Sequence, residues 1–170
     1  DQLAINKLVV SAGNVEIDLV GSLFQLDATS NPIVVGGTDQ PSTLRFHGGG
    51  TVQTAADVTL FQGEITFEDN IALYAPKIIL LDNSYLGFDG VSTSDLINLG
   101  GKLEPSGRDV GEFTLNGDLI NMEKRNPTGN LVGSIGFDIQ GTSQGVNYDA
   151  LIVFGAADMA CSIDLKWGGD

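Results

Sequence analysis

The sequence predicts an all-β chain wound as a right-handed parallel β-helix, and three observations lead to that class. From Val58 to Phe88 an apolar-x-apolar doublet recurs: Val58/Leu60, Ile65/Phe67, Ile71/Leu73, Ile78/Leu80 and Leu86/Phe88, at steps of 7, 6, 7 and 8 residues. A doublet of period two buries one face of a short strand. The intervening pieces, Gln62-Gly63-Glu64, Glu68-Asp69-Asn70, Ala75-Pro76-Lys77 and Asp82-Asn83-Ser84, are polar and too short for crossover helices, and strands this short make poor hairpins. A winding chain suits them: three steps take Val58 to Ile78, a rung of about 20 residues, within the range of periods that marks solenoids. Composition agrees, with 170 residues, 42% hydrophobic, 18% charged and 23 glycines for tight corners, which is β-rich rather than disordered. At this period the chain holds roughly eight rungs, a rod on the order of 40 Å long.

Taken in order, the region from Leu3 to Val10 is apolar and reads as an opening strand, with a short amphipathic cap as the alternative, because the end of a solenoid exposes unpaired backbone. Val15-x-Ile17-x-Leu19 alternates with Glu16 and Asp18 outside, and Gly21 turns the chain into Leu23 to Leu26. Ile33 to Val35 is a strand between Asn31-Pro32 and Gly36-Gly37, and Thr38 to Ser42 reads as a loop leaving the rod. Leu44-x-Phe46 resumes the doublets, and His47 then meets Gly48-Gly49-Gly50 as a solvated corner residue. After Phe88 the period loosens from Asp89 to Asp95; Leu96 to Leu99 and Leu103 are apolar again, and Pro105-Ser106-Gly107-Arg108 is the best internal boundary. It divides regular rungs over 1–110 from a C-terminal end over 111–170, within one continuous solenoid.

Asp and Glu number 22 against 8 Lys and Arg, a net charge of −14. Asp favours turns and Glu favours helices, so a chain whose acids are mostly Asp decorates corners. Such a surface repels nucleic acid and anionic lipid, which excludes both as partners. The lone Cys161 forms no intrachain disulfide and lies in the alternating run Cys161-Ser162-Ile163-Asp164-Leu165, where it is expected to point inward with Ile163 and Leu165. Apolar runs such as Ile78 to Leu81 and Ala150 to Phe154 are far below membrane-spanning length. The first residue is Asp1 and no charged region precedes an apolar one, so the expectation is a segment whose signal peptide has been removed.

The C-terminal part carries a recognisable order: Glu112-Phe113-Thr114-Leu115-Asn116-Gly117-Asp118-Leu119, a polar insertion around Lys124-Arg125-Asn126-Pro127, then Gly133-Ser134-Ile135-Gly136-Phe137-Asp138-Ile139-Gln140-Gly141-Thr142, Tyr148-Asp149-Ala150-Leu151-Ile152-Val153-Phe154-Gly155 and Cys161 to Leu165. Over 112–167 this resembles the C-terminal β-helix end of autotransporter passenger domains and related bacterial surface proteins. The chain departs from their pattern at Asp158-Met159-Ala160-Cys161, where a glycine pair is common. The resemblance implies an extracellular or cell-surface β-helix with an adhesive or structural role, and host-cell or matrix glycans or proteins as partners. From the residues alone, Tyr148 can cover the core end and Asp149 can cap backbone N–H groups.

A search for chemistry finds no catalytic constellation. Glycoside hydrolysis needs two carboxyls at a set separation, and the sequence has no Asp-Asp pair. Asp69 and Asp89 are separated by one expected rung, so stacking brings them to one edge, where repulsion between carboxylates would be relieved by a weakly held Ca²⁺. No other cofactor is expected, because nucleophile-elbow, phosphate-cradling and zinc motifs are missing. A lyase would need a base and a group to neutralise the substrate acid; Arg45 and His47 are the candidate pair, on a surface whose charge opposes an anionic polysaccharide. A glycan-binding module would use Tyr74 and Tyr85 as exposed platforms, whereas Phe46, Phe67, Phe88, Phe113 and Phe137 occupy inward phases and should stack in the core. The leading expectation is a non-enzymatic scaffold, with a polysaccharide-binding or polysaccharide-degrading β-helix as one alternative and a filament of copies stacked end to end as the other.

Overall fold

The protein is described by a computed structural model covering residues 2–36, 42–106, 110–122, 125, 127–129, 132–142 and 148–168. Among these residues every regular element is a strand: β1 (Gln2–Ile5), β2 (Leu8–Val10), β3 (Gly13–Asp18), β4 (Leu23–Leu26), β5 (Ile33–Val35), β6 (Ser42–His47), β7 (Gly50–Thr54), β8 (Val58–Leu60), β9 (Gly63–Tyr74), β10 (Lys77–Leu80), β11 (Ser84–Ser92), β12 (Asp95–Asn98), β13 (Lys102–Pro105), β14 (Glu112–Leu115), β15 (Leu119–Asn121), β16 (Ser134–Ile139), β17 (Ala150–Val153), β18 (Ala157–Met159) and β19 (Ser162–Trp167).

All ladders between these strands are parallel, and they sort into three faces. One runs β1, β4, β7, the second half of β9, the second half of β11, β14 and β17. A second holds β2 and β5, then β8, β10, β12, β15 and β18. The third holds β3, β6, the first halves of β9 and β11, β13, β16 and β19. The chain visits them in the fixed order first, second, third, and then returns to the first. Because β9 and β11 bend round a corner without a break, the first and third faces form one twelve-stranded sheet. Long parallel sheets visited cyclically, with no helix among the described residues, are compatible with a β-solenoid.

Register follows the doublets. Val58 pairs with Ile78 and Leu60 with Leu80, while Leu44, Ile65 and Leu86 align in one column and Phe46, Phe67 and Phe88 in the next. The stretch of chain between partners varies: it is short from Tyr85 to Lys102 and more than twice as long from Glu112 to Ala150, because the corners carry connections of unequal length. Alternation puts the doublet residues into one core, where Leu44, Phe46, Ile71, Ile78, Leu80, Leu86, Phe88, Leu96 and Leu103 are fully buried. Phenylalanines thread it: Phe24 meets Phe46 edge-on at 5.7 Å, Phe46 stacks on Phe67 at 5.2 Å, Phe67 lies 4.8 Å from Phe88, and Phe88 stacks on Phe113 at 4.4 Å. Each such pair adds about 1 kcal/mol beyond area burial.

Several local expectations change. The region from Leu3 to Val10 forms two strands, β1 and β2, broken at Asn6-Lys7. The loosening of the period after Phe88 coincides with a shift of register between Phe88 and Gly90, but the strand does not end there: it continues to Ser92, with Gly90 and Ser92 buried. The Ser92 hydroxyl is satisfied there by donating to Ser94 Oγ at 3.0 Å. Positions 38–41 of the expected loop lie outside the described residues, and Ser42 opens β6. Of the polar insertion only Arg125 and Pro127 among the four named residues are described. Phe137 is half-buried and Phe24 takes a place in the aromatic stack. Finally, Ile163 and Leu165 keep the inward phase but are 54% and 67% exposed, because β19 has a partner strand on only one side among the described residues.

Candidate functional site

The outward side of the third face collects most of the charged chemistry, since alternation sends one residue in two away from the core. Parallel pairing sets Arg45 beside Glu16 and Thr66. Its guanidinium lies 3.5 Å from Glu16 Oε1 and donates to Glu68 Oε2. The hydrogen bond to Glu68 holds the guanidinium above its ordinary pKa against the opposing effect of burial. His47, at the end of the same strand, places Nδ1 3.8 Å from Asp18 Oδ1. The structure thus keeps Arg45 and His47 on one edge and turns each towards a carboxylate of this chain.

Further along the same face lies a cluster that no sequence motif announced. Glu104 is buried although it belongs to the outward phase, in the space left by Gly136, where a Cβ would lie 2.8 Å from Glu104 Oε1. Lys102 Nζ and Lys166 Nζ approach Oε1 at 2.5 and 2.6 Å, and the Tyr85 hydroxyl donates to Oε2 at 2.5 Å. Burial raises the Glu104 pKa, but the two lysines and the tyrosine outweigh it and hold the carboxyl below its usual range. The Tyr85 hydroxyl is pushed well above its usual value, first by burial and then by its hydrogen bond to Glu104. Asp138 stands 3.7 Å from Lys166. Tyr85 is therefore tied to a carboxylate at its polar end and carries Lys102 over its ring at 5.9 Å.

The corner between the third and first faces holds the predicted acids. Asp69 and Asn70 adopt positive φ of 64° and 60°, the left-handed region that Asp and Asn tolerate best after glycine, and this turns β9 without ending it. Asp69 Oδ2 accepts from Gly48 N–H at 2.8 Å, one passage earlier. Asp89 accepts from Asn70 N–H on one oxygen and from Glu112 N–H on the other, both at 3.1 Å, and so clamps the passages on either side. Asp149 does the same further on, taking Gly111 N–H at 3.0 Å, Asp138 N–H at 2.7 Å and the Ser106 hydroxyl at 2.9 Å. Burial raises its pKa, opposed by those three donors. Asp149 is a backbone cap as expected, but across passages. On another corner Asp95 accepts from Asp118 N–H and Asp118 from Ala156 N–H.

Asp69 and Asp89 are brought to one cleft of about 160 Å³, lined also by Glu68, Ser106 and Val110. Asp69 Oδ2 and both Asp89 carboxylate oxygens accept backbone N–H groups, and among the described residues no group of three or more His, Cys, Asp or Glu is arranged to hold a metal ion. A second cleft of about 410 Å³ opens where β5 and β8 adjoin without a ladder, lined by Thr29, Ser30, Asn31, Ala55, Ala56, Asp57, Thr59 and Pro76. Tyr74 is 47% exposed and closely precedes that Pro76. Cys161 is half-buried, and burial followed by the charges of Asp158 and Asp164 pushes its thiol up, away from reactivity. Comparison of the chain with protein-family models, curated proteins and solved structures gives no match.

Proposed function

We propose that this chain is a non-catalytic structural segment of a bacterial surface or secreted protein, a right-handed β-helix with rungs of about 20 residues lengthened at a few corners. Right-handedness rests on the strong preference of parallel crossover connections for that hand. The extracellular placement and the adhesive or scaffolding role rest on the resemblance of 112–167 to autotransporter passenger ends. The observation that carries the structural reading is the use made of the polar groups. Asp69, Asp89, Asp95, Asp118 and Asp149 accept backbone N–H groups of neighbouring passages, and Arg45 is held by Glu16 and Glu68. Catalytic groups are aimed at substrate, whereas these are aimed at the chain itself.

The test is a turnover screen on acidic and neutral polysaccharides, reading unsaturated products and new reducing ends. No turnover is expected. Turnover that disappears in Arg45→Ala or His47→Ala would replace the scaffold by a lyase. A polysaccharide-binding reading is favoured by the cleft beside β5 and β8. It predicts retention on a glycan array that is lost in Asp57→Ala or Tyr74→Ala.

A further inference from the structure

The outward side of the second face departs from the alternation that holds on the third. Inward residues of β10 and β12 such as Ile78, Leu80 and Leu96 are fully buried, yet the residues between them, which point away from the core, are apolar as well. Parallel pairing lines up Ile79, Ile97 and Ile120 in one outward column. The N–H groups of Leu81, Leu99 and Met122 donate to the carbonyls of Leu60, Leu80 and Asn98, which sets Phe61, Leu81, Leu99 and Met122 in a second column beside the first. Phe61 is 48% exposed, Ile120 36% and Met122 56%, and the others are partly exposed. On the third face the outward phase carries charges instead, such as Glu16, Arg45 and Asp164. Continuous apolar runs such as Ile78-Ile79-Leu80-Leu81 mark a parallel sheet that is covered on both sides, and a contiguous exposed apolar patch marks an interaction surface.

From this pattern we infer that the outer side of the second face is the docking surface for a basic amphipathic helix of another protein. Three observations select that occupant. β10 and β12, beneath the patch, are already paired on both sides, so an extended segment finds no backbone partners there, whereas a helix satisfies its own. From Phe61 to Met122 the patch spans three strand spacings, about 14 Å, a length that about nine residues of helix cover. Its border is acidic: Asp57, Lys77, Asp95 and Asp118 follow one another just before the paired Val58, Ile78, Leu96 and Leu119, and Asp158 continues the isoleucine column beyond Ile120. Charge complementarity therefore asks for Lys or Arg flanking the apolar stripe of the helix. A second copy of this chain brings the same acidic border and a net charge of −14, so repulsion opposes it. The docking surface rests on the sheet order and not on the scaffold reading, so turnover of a polysaccharide would leave it standing.

The probe is a labelled synthetic peptide of Leu and Lys, about four helical turns long, with its leucines on one side of the helix. A peptide of the same composition in scrambled order is the control. Fluorescence anisotropy should show the first peptide binding the intact chain, with a gain of helix by circular dichroism, and the scrambled one binding at least about tenfold more weakly. Ile120→Ser and Met122→Ser together remove outward side chains, so folding should survive, as thermal denaturation checks, while binding of the helical peptide falls about tenfold. If that pair does not fold, Phe61→Ser at the opposite end of the patch carries the same test. Asp57→Asn should reduce the salt dependence of binding. Equal binding of the two peptides would leave only attraction between bulk charges and overturns the proposal, as does unchanged binding by a folded serine variant. Sedimentation velocity covers the other occupant: a dimer of the intact chain that Met122→Ser dissolves would assign the surface to a second copy and overturn the helix.

Discussion

Glu104 shows what a single residue can do for the stack. It is buried, and its carboxylate gathers the Lys102 ammonium from its own strand, the Tyr85 hydroxyl from β11 and the Lys166 ammonium from β19. The Tyr85 and Lys166 pKa values are both raised in the folded chain. The unfolded chain therefore loses these protons first, from about pH 10 upward, and the stability they contribute is complete below that pH and declines above it. The depressed Glu104 carboxyl has the opposite sense: its contribution is present above about pH 4.3 and is lost as pH falls through the folded value. Urea midpoints followed from neutral to alkaline pH should thus fall steeply beyond about pH 10, and Glu104→Gln should flatten that fall while lowering the midpoint at neutral pH. An unchanged alkaline slope would mean that the cluster is not coupled. None of this was legible in the sequence, because Glu104 and Lys166 lie far apart along the chain and only the register brings them together. Asp69 and Asp89 were legible, since the passage between them has no insertion.

At the scale of the element, the doublets read correctly as strands because a period of two is a property of neighbouring residues alone. What neighbours do not reveal is where a strand bends and continues. β11 passes its corner at Gly90, whose φ is 135° and where an added Cβ would lie 2.1 Å from the Ile71 carbonyl oxygen. The glycine keeps the chain close enough for Ile71 and Phe113 to pair with it from both sides. Gly90→Ala should cost about 3 kcal/mol or more, through backbone strain and overlap with a neighbouring strand. Gly21→Ala is the comparison: φ is 72° but nothing lies within 4 Å, so only the backbone term of about 1 kcal/mol applies. Equal losses in thermal denaturation would show that the overlap relaxes. The sequence missed the bend because Asp89-Gly90 looks the same whether it ends a strand or turns one.

For the whole molecule, the cyclic order of faces and the polar insertion that lengthens the stretch from Lys102 to its partner Ser134 were foreseen, whereas the short stretch from Tyr85 to Lys102 was not, since the length of a corner obeys no local rule. Stacks of repeated units are most stable where neighbours exist on both sides. Hydrogen exchange should find the strongest protection in β9 and β11, which pair on both edges, and the weakest in β1 to β3 and β17 to β19. Uniform protection would show that the chain opens only as one cooperative unit.

The bent corners of β9 and β11 have a mechanical consequence. Hydrogen bonds between successive passages point along the direction of stacking, so a pull that separates the two ends loads the passages in series and opens one ladder at a time, like a zip rather than a shear joint. The short passage from Leu44 to its partner Ile65 would release about 70 Å of contour, and the long one from Glu112 to Ala150 about 130 Å. A tether of this build yields in unequal, countable lengths at modest tension, and the sequence of long and short releases would reveal the direction from which it is being peeled.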